Sequence, residues 1–312
     1  MEKGWRGLPY NTIAEHYSNL FGEKVYKIPV SVVDDCPNRR GLKGMQTCVF
    51  CDEWGSAARS QMQNKPLTMQ IEECRQIIRK NYKANKFLVY FQAYTNSFAK
   101  INYIESCFEE ALAQNDVVGL VVGTRPDCIS PALLRLWQKY SERTYLAIEL
   151  GVQSFVDDHL HFLRRGHKND QTIRAFETLS AIPTIDLGIH LIFGIPHETD
   201  DHIRAAARMV NSYRISNVKL HNLHVLKNTP LEQMYLKGEF VPISIEEYSQ
   251  RVSEFLRVLS PEVSVHRLGA VASRWDELVA PEWTKHKLKT VQHIISYLKA
   301  NHIHQGQEFL AL

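Results

Sequence analysis

The chain has 312 residues, of which 44% are hydrophobic and 23% charged, and its formal net charge at pH 7 is +3. These values are typical of a globular protein with a large core. The charge is too small to identify a nucleic-acid binder, but it does not exclude one. No apolar run approaches the about 18 residues of a membrane span, and residues 1–10 lack the apolar core of an export signal. We therefore expect a cytoplasmic protein without a membrane partner.

Apolar, β-branched runs alternate with helical periodicity along the chain. The predicted strands are residues 25–33, 87–91, 117–122, 144–150, 185–193 and 217–226. The predicted helices between them are residues 68–83, 103–114, 131–140, 170–180 and 199–214. Thr68 and Ser130 are the predicted N-caps of two of these helices, and Pro131 follows Ser130 at a first helical position.

The strand–helix series predicts one α/β domain over residues 1–230, followed by a C-terminal section over residues 231–312. Six such units in succession imply a parallel sheet, which either closes as a barrel or stays open. In both cases the polar loops that follow the strands gather at one edge, where active sites form. The C-terminal section has two predicted helices, 243–259 and 283–300, and a short strand at 262–267.

Three cysteines, Cys36, Cys48 and Cys51, lie on the polar loop after the first strand with the spacing C-x11-C-x2-C. Reduced thiolates gathered on one loop can hold a metal. Three thiolates on a four-iron cluster leave one iron free for a small molecule, which favours catalysis. Zinc held by these thiolates and a histidine is the alternative. The other cysteines are expected to pack in the protein, Cys74 and Cys107 in the core and Cys128 after the third strand.

These residues resemble the radical S-adenosylmethionine (SAM) superfamily, and within it the subgroup with an elongator-catalytic-subunit-like core, typified by the YhcC family. The resemblance runs through nearly the whole chain. The similar segments are residues 36–39, 48–56, 90–96, 123–128, 149–154, 165–167, 190–199, 219–225, 266–268 and 280–283. The superfamily's commonest spacing is C-x3-C-x2-C, and the longer first gap here is a feature of the subgroup.

The resemblance implies a partial (β/α)6 TIM-type barrel with a C-terminal α-rich extension and a 4Fe-4S cluster held by the three cysteines. It implies that SAM binds the open iron and is cleaved reductively to a 5′-deoxyadenosyl radical. The electron would come from a reductant such as flavodoxin or ferredoxin, and a tRNA nucleoside would be the substrate. Alternatives are a small metabolite or a protein side chain as substrate, a cluster-bearing interaction or electron-transfer protein, and a zinc-stabilised binding module.

The resemblance also implies a set of SAM-binding residues. They are Phe50, Gln92, Thr95, Asn96, Arg125, Glu149 and Gln153. Phe50 is expected either to stack on the adenine or to pack in its loop, and Asn96 is either a ligand or a turn residue. Arg125 would pair with the SAM carboxylate, or structurally with Asp127 or Glu149. Glu149 lies in an apolar strand and needs a partner there, either ribose hydroxyls or Arg125.

Three histidines are candidate catalytic residues on the substrate side of the site. His190 lies within the fifth predicted strand, and His221 and His224 lie within the sixth. A histidine in a strand is often a satisfied core group, so a packed role is the alternative for each.

Overall fold

The computed structural model describes residues 5, 7–52, 65–270 and 276–311, in which strands and helices alternate. The strands are β1 (Val25–Val30), β2 (Lys86–Phe91), β3 (Val117–Thr124), β4 (Tyr145–Gln153), β5 (Ile185–Phe193), β6 (Asn217–Asn222), β7 (Val225–Leu226), β8 (Ser264–Val265) and β9 (Leu278–Ala280). The α-helices are α1 (Ile13–Phe21), α2 (Leu67–Tyr82), α3 (Ile101–Leu112), α4 (Pro131–Ser141), α5 (Asp157–Phe162), α6 (Asn169–Ser180), α7 (Asp200–Asn211), α8 (Pro230–Leu236), α9 (Ile245–Val258) and α10 (Lys287–Ala300). The predicted α/β class is confirmed.

Seven strands form one parallel sheet in the order β1-β2-β3-β4-β5-β6-β8. The sheet curls until its two edges approach each other. Lys27 Nζ of β1, at one edge, lies 2.7 Å from Nε2 of His266, which follows β8 at the other edge. The predicted partial TIM-type barrel is therefore confirmed, with β8 as a seventh strand. Since β8 lies beyond residue 230, the predicted boundary between residues 1–230 and 231–312 crosses the sheet. The strands β7 and β9 form a separate antiparallel pair.

The helix α1 closes the bottom of the half-barrel, at the amino ends of the strands. Thr12, its N-cap, forms a parallel bridge with Val265 of β8. Tyr17 of α1 is 3% exposed and packs among side chains that point into the barrel. The apolar members of this plug are Val25, Leu88, Tyr90, Val121 and Ala147. The lower barrel is thus a packed core.

The outer face of the sheet is covered by helices that share one large core. Trp137, Phe108 and Phe176 are among its largest fully buried side chains. Cys74 and Cys107 are 1% and 5% exposed in this core, as expected. The C-terminal section extends the same core, because α9 packs against α7 and α10 packs against α9. Within the described ranges, no helix combines the length and the hydropathy needed to cross a bilayer.

Several local predictions differ from the structure. Thr68 is not an N-cap, because α2 already begins at Leu67. Ser130 is confirmed as the N-cap of α4, since its hydroxyl accepts a hydrogen bond from the backbone N–H of Leu133. The predicted strand 217–226 is divided between β6 and β7, which belong to different sheets. The helices α1, α5 and α8 were not predicted, because they are only 9, 6 and 7 residues long.

Candidate active site

A cavity of about 330 Å³ opens above the plug, at the carboxyl ends of the strands. It is lined by polar residues from the ends of β1 through β6, as expected for a parallel sheet. Twelve of the predicted site residues line it: Cys36, Cys48, Phe50, Cys51, Gln92, Thr95, Arg125, Glu149, Gln153, His190, His221 and His224. The structure therefore brings together side chains that are far apart in sequence.

The cysteine loop is docked on the segment that follows α5. The Asn38 side chain donates hydrogen bonds from Nδ2 to the carbonyl oxygens of Gln46 (2.8 Å) and Arg164 (2.6 Å). The backbone N–H of Val49 donates to the carbonyl oxygen of Leu163 (3.2 Å). These bonds hold the long segment between Cys36 and Cys48 against the barrel. Residues 53–56, the end of the cysteine motif, lie outside the described residues.

Hydrogen-bond donors surround the cysteine sulfurs. The backbone N–H of Arg39 lies 3.4 Å from Cys36 Sγ, and Asn38 Nδ2 and Arg165 Nη1 each lie 3.5 Å from Cys48 Sγ. Such donors stabilise thiolates, and hydrogen bonds to sulfur are one of the means by which proteins tune iron–sulfur clusters. The donor set therefore fits a thiolate-bound cluster. Burial, with the other two cysteines nearby, raises the pKa of Cys51 to about 12.

The cysteine sulfurs do not converge on one point. In the part of the chain that the structure describes, no three cysteine, histidine or carboxylate side chains are close enough to share a single metal ion. Cys128 does not line the cavity, and its sulfur lies 3.9 Å from Asp127 Oδ1. This location agrees with the packing role expected for Cys128.

Glu149 is the centre of a buried ionic layer just above the apolar plug. Its side chain is 1% exposed, and its Oε2 lies 2.8 Å from Lys219 Nζ and 2.9 Å from His190 Nε2. Its Oε1 accepts a hydrogen bond from Lys27 and lies 3.3 Å from His266 Nε2. Burial raises the pKa of Glu149, but the two lysines outweigh it and hold that pKa well below its usual range. Of the two partners predicted for Glu149, Arg125 is wrong, because Arg125 pairs with Asp127 while the lysines bind both Glu149 oxygens; the ribose hydroxyls stay a prediction.

Arg125 adopts the structural alternative, a two-pronged ion pair with Asp127. Its Nε and Nη2 donate to the two carboxylate oxygens at 2.8 and 2.9 Å. Nη1 donates to Asn38 Oδ1, and Nη2 also donates to the carbonyl oxygen of Arg165 at 2.6 Å. Arg125 thus links the cysteine loop to the end of β3, and a contact with the SAM carboxylate stays a prediction that requires these bonds to rearrange.

Asn96 also has a bracing role, and it is the one predicted site residue that does not line the cavity. Its Nδ2 donates to the carbonyl oxygens of Phe91 (2.9 Å), Ala93 (3.2 Å) and Gly123 (3.2 Å). These bonds hold the loop after β2 against β3, which agrees with the turn role. Phe50 lines the cavity and also packs against a small apolar cluster, so both of its predicted roles remain open.

The three candidate catalytic histidines line the cavity, and each has a partner. His190 is bonded to Glu149, and its ring stacks on that of His221 with the centroids 5.4 Å apart. His221 contacts Arg267 Nη2, and His224 Nδ1 lies 3.2 Å from the carbonyl oxygen of Asn222. Burial lowers the pKa of all three, that of His190 to about 4, so they are neutral at pH 7.

Several side chains of the cavity and of its ionic layer were not predicted as site residues from the sequence. They are Lys27, Tyr90, Arg165, Lys219, His266 and Arg267. A signal was available for the two lysines, because a charged side chain within an apolar strand needs a buried partner, which is the argument that singled out Glu149. Lys27 and Lys219 both lie within such strands.

The sequence is similar to those of known proteins. The family descriptions "Radical SAM superfamily" and "Radical_SAM C-terminal domain" match residues 30–210 and 215–300. Protein YhcC of Escherichia coli (strain K12) is 32% identical over 289 residues, which are 92% of each chain. The tRNA uridine(34) acetyltransferase of Methanocaldococcus jannaschii is 27% identical over 192 residues, or 57% of this chain and 35% of that one.

Among solved structures, the archaeal Methanocaldococcus infernus Elp3 with an N-terminal deletion is similar with a TM-score of 0.69 at 18% identity. The likeness covers 90% of this chain and 64% of that one, and it concerns the fold. The family match covers more than half of the chain, and the identity to YhcC extends over nearly all of it. The chain therefore belongs to the radical SAM superfamily of enzymes, and within it to the family of YhcC.

Proposed function

We propose that this enzyme holds a 4Fe-4S cluster on Cys36, Cys48 and Cys51, binds SAM beside it, and modifies a nucleoside of tRNA. The observation that carries the proposal is the cysteine loop, whose three sulfurs line one cavity together with polar residues from the ends of six strands. When bound, the cluster would supply the electron that cleaves SAM reductively and yields a 5′-deoxyadenosyl radical for hydrogen abstraction.

The chain's own residues would prepare the cysteines and position SAM. Asn38 Nδ2 and Arg165 Nη1 donate to Cys48 Sγ and would orient this sulfur toward the cluster. Arg165 Nε is buried without a partner among the described residues, which leaves an N–H for the SAM carboxylate. Gln92 and Gln153 present amide groups to the same cavity, suited to the amine and the ribose of SAM.

Exclusion of water is the second task of the protein, because a primary carbon radical reacts with most groups that it meets. The apolar plug with Tyr17 closes the cavity from below. Leu223, Leu226 and Ala270 line the cavity from β6 onward and give its substrate side apolar walls. The radical would therefore be confined between the cysteine loop and the C-terminal section.

The proposed tRNA substrate rests on similarity and on local charge. The tRNA uridine(34) acetyltransferases are relatives by sequence, and the outer side of the cysteine loop has five exposed cations. They are Arg39, Arg40, Lys43, Arg164 and Lys168. Clustered Lys and Arg side chains bind phosphate backbones. Arg40 is already paired with Asp35, and Arg39 Nη1 donates to the carbonyl oxygen of Asp52, so Lys43, Arg164 and Lys168 are the stronger candidates. We also propose that the enzyme works in the cytoplasm and that a reductant such as flavodoxin or ferredoxin supplies its electron.

Anaerobic reconstitution tests the cluster and the chemistry. Wild-type protein should bind iron and sulfide, absorb broadly in the visible range, and release 5′-deoxyadenosine when reduced with SAM. Cys48→Ala should lose the cluster, whereas Cys128→Ala, a matched change outside the cavity, should keep it. Tight binding of one zinc ion without iron, or a loaded cluster that releases no 5′-deoxyadenosine, would refute the proposal.

The substrate requires a separate experiment. Nucleosides from the tRNA of cells with and without the gene can be compared by mass spectrometry. A nucleoside that is lost with the gene, and restored by wild-type protein but not by Cys48→Ala, would support tRNA modification. An unchanged set of nucleosides would direct the search to small metabolites or protein side chains.

A further inference from the structure

Three cationic side chains meet at the floor of the cavity, where Lys219 and Arg267 line it and Lys27 lies beside them in the ionic layer. Two carboxylates line the same cavity, Glu149 and Asp52, and Glu149 pairs with the two lysines. Among the described residues, no carboxylate lies within the 4.0 Å of an ion pair from Arg267. Because buried charges are normally paired, an unmatched guanidinium in a cavity suggests a missing anion.

Arg267 has donors to spare. Its Nε is buried without a hydrogen-bond partner, and its Nη2 lies 2.8 and 2.7 Å from the ring nitrogens of His221. Burial and the nearby Arg267 hold the pKa of His221 well below its usual range, so the ring is neutral and supplies no countercharge. A planar guanidinium with a free Nε–H is suited to two-pronged contact with an anion.

Lys219 also lies among more cations than carboxylates. Burial lowers its pKa to about 7 despite the bond to Glu149, and the neighbouring cations Lys27 and Arg267 add to this effect. A bound anion would raise the pKa of Lys219 again, because a nearby negative charge stabilises the ammonium form. Lys219 and Arg267 both line the cavity, so an anion that enters from above can reach both.

We propose that Arg267 and Lys219 bind an anionic group of the substrate, a carboxylate or a phosphate, on the floor of the cavity. The word substrate rests on the proposed function, whereas the anion site itself does not. SAM also has a carboxylate. The residues that contact the cysteine sulfurs, Asn38, Arg39 and Arg165, make none of the described contacts of Arg267 or Lys219. The two groups line the same cavity, and no described hydrogen bond joins them.

Anion binding can be measured on full-length, metal-free protein by calorimetric titration with inorganic phosphate and, separately, with acetate. Loss of a charge-assisted hydrogen bond should weaken binding about 10- to 100-fold in Arg267→Gln. Arg267→Lys keeps the charge and should restore part of the affinity. Arg174→Gln removes an arginine that is 65% exposed and should change nothing. Tighter binding of phosphate or of acetate identifies the group. Equal affinities in the wild type and Arg267→Gln, or no binding by the wild type, would overturn the proposal.

A second measurement separates the substrate from SAM. In reconstituted protein without substrate, Arg267→Gln should bind SAM and release 5′-deoxyadenosine as the wild type does. A loss of SAM affinity as large as the loss of anion affinity would assign Arg267 to SAM and overturn the substrate site. If the wild type itself binds no cluster, the proposed function fails, while the titration of metal-free protein still decides whether the anion site exists.

Discussion

Replacement of Glu149 by Gln should destabilise the protein strongly. Glu149 is 1% exposed and neutralises Lys27 and Lys219, which are 13% and 10% exposed. Gln has nearly the same size and can still accept a hydrogen bond, but it has no charge, so Lys27 and Lys219 must either stay charged without a countercharge or give up a proton. Breaking a buried ion pair in this way costs about 3–5 kcal/mol. Urea unfolding of the metal-free protein at pH 7, followed by circular dichroism, measures the change in the free energy of unfolding.

Combining Glu149→Gln with Lys219→Met gives a double-mutant cycle that tests this prediction. If Glu149 stabilises the fold by neutralising Lys219, the double variant should lose less than the sum of the single losses, by about 0.5–3 kcal/mol. Glu282→Gln, at a side chain that is 79% exposed, is the control and should stay within about 0.5 kcal/mol of the wild type. Additive losses, or a Glu149→Gln variant as stable as this control, would refute the reasoning.

The pH dependence of the Glu149 contribution has a definite sign. The lysines hold its folded-state pKa well below the usual 4.5. The stabilisation is therefore complete from pH 4.5 up to the pH at which Lys219, whose pKa is about 7, begins to lose its proton, and it is lost as the pH falls through the folded-state pKa of Glu149. The difference in stability between the wild type and Glu149→Gln should accordingly narrow in acid.

Three further changes test other parts of the fold. Burial raises the pKa of Glu198 from 4.5 to about 8, so the folded protein holds a proton on Glu198 that the unfolded chain releases above pH 4.5. The wild type should therefore lose stability as the pH rises from 4.5 to 8. Over this range, urea unfolding should show the free energy of unfolding of Glu198→Gln rising relative to that of the wild type by up to about 1.4 kcal/mol per pH unit. Gly119→Ala places a Cβ 2.4 Å from the carbonyl oxygen of Tyr145 and should cost about 1–3 kcal/mol by the same assay; an unchanged midpoint would contradict the close packing. Ser130→Ala removes the cap of α4 and should cost about 1 kcal/mol, whereas Ser130→Gly should cost only a few tenths.

The strands and the site loops could be predicted because their signals are local. Strands buried on both faces have near-continuous apolar sequences, so β5 (Ile185–Phe193) was predicted with its bounds as observed. Polar residues near the carboxyl ends of such strands meet by the geometry of a parallel sheet, which is why Cys36 and Gln92, from loops, and His190, from within β5, line one cavity.

The partners of charged residues could not be predicted, because they depend on long-range contacts. Arg125 had two acidic candidates, and only the folded chain shows that Asp127 binds it while Glu149 faces the lysines. The seventh strand, β8, has two residues, and its place in the sheet depends on pairing with β6. Similarly, nothing local in α1 indicates that Tyr17 fills the bottom of a barrel.

The ionic layer also has a consequence for how the chain folds during synthesis. Its contacts join residues far apart in sequence: Glu149 is 70 positions from Lys219 and 122 from Lys27, and Lys27 is 239 from His266. Contacts of this separation form only after a large loss of chain entropy. A chain that emerges from the ribosome amino end first exposes Lys27 long before its partners exist. We therefore expect the barrel interior to stay hydrated until residues near 266 have been made, so that the protein completes its fold only late in translation.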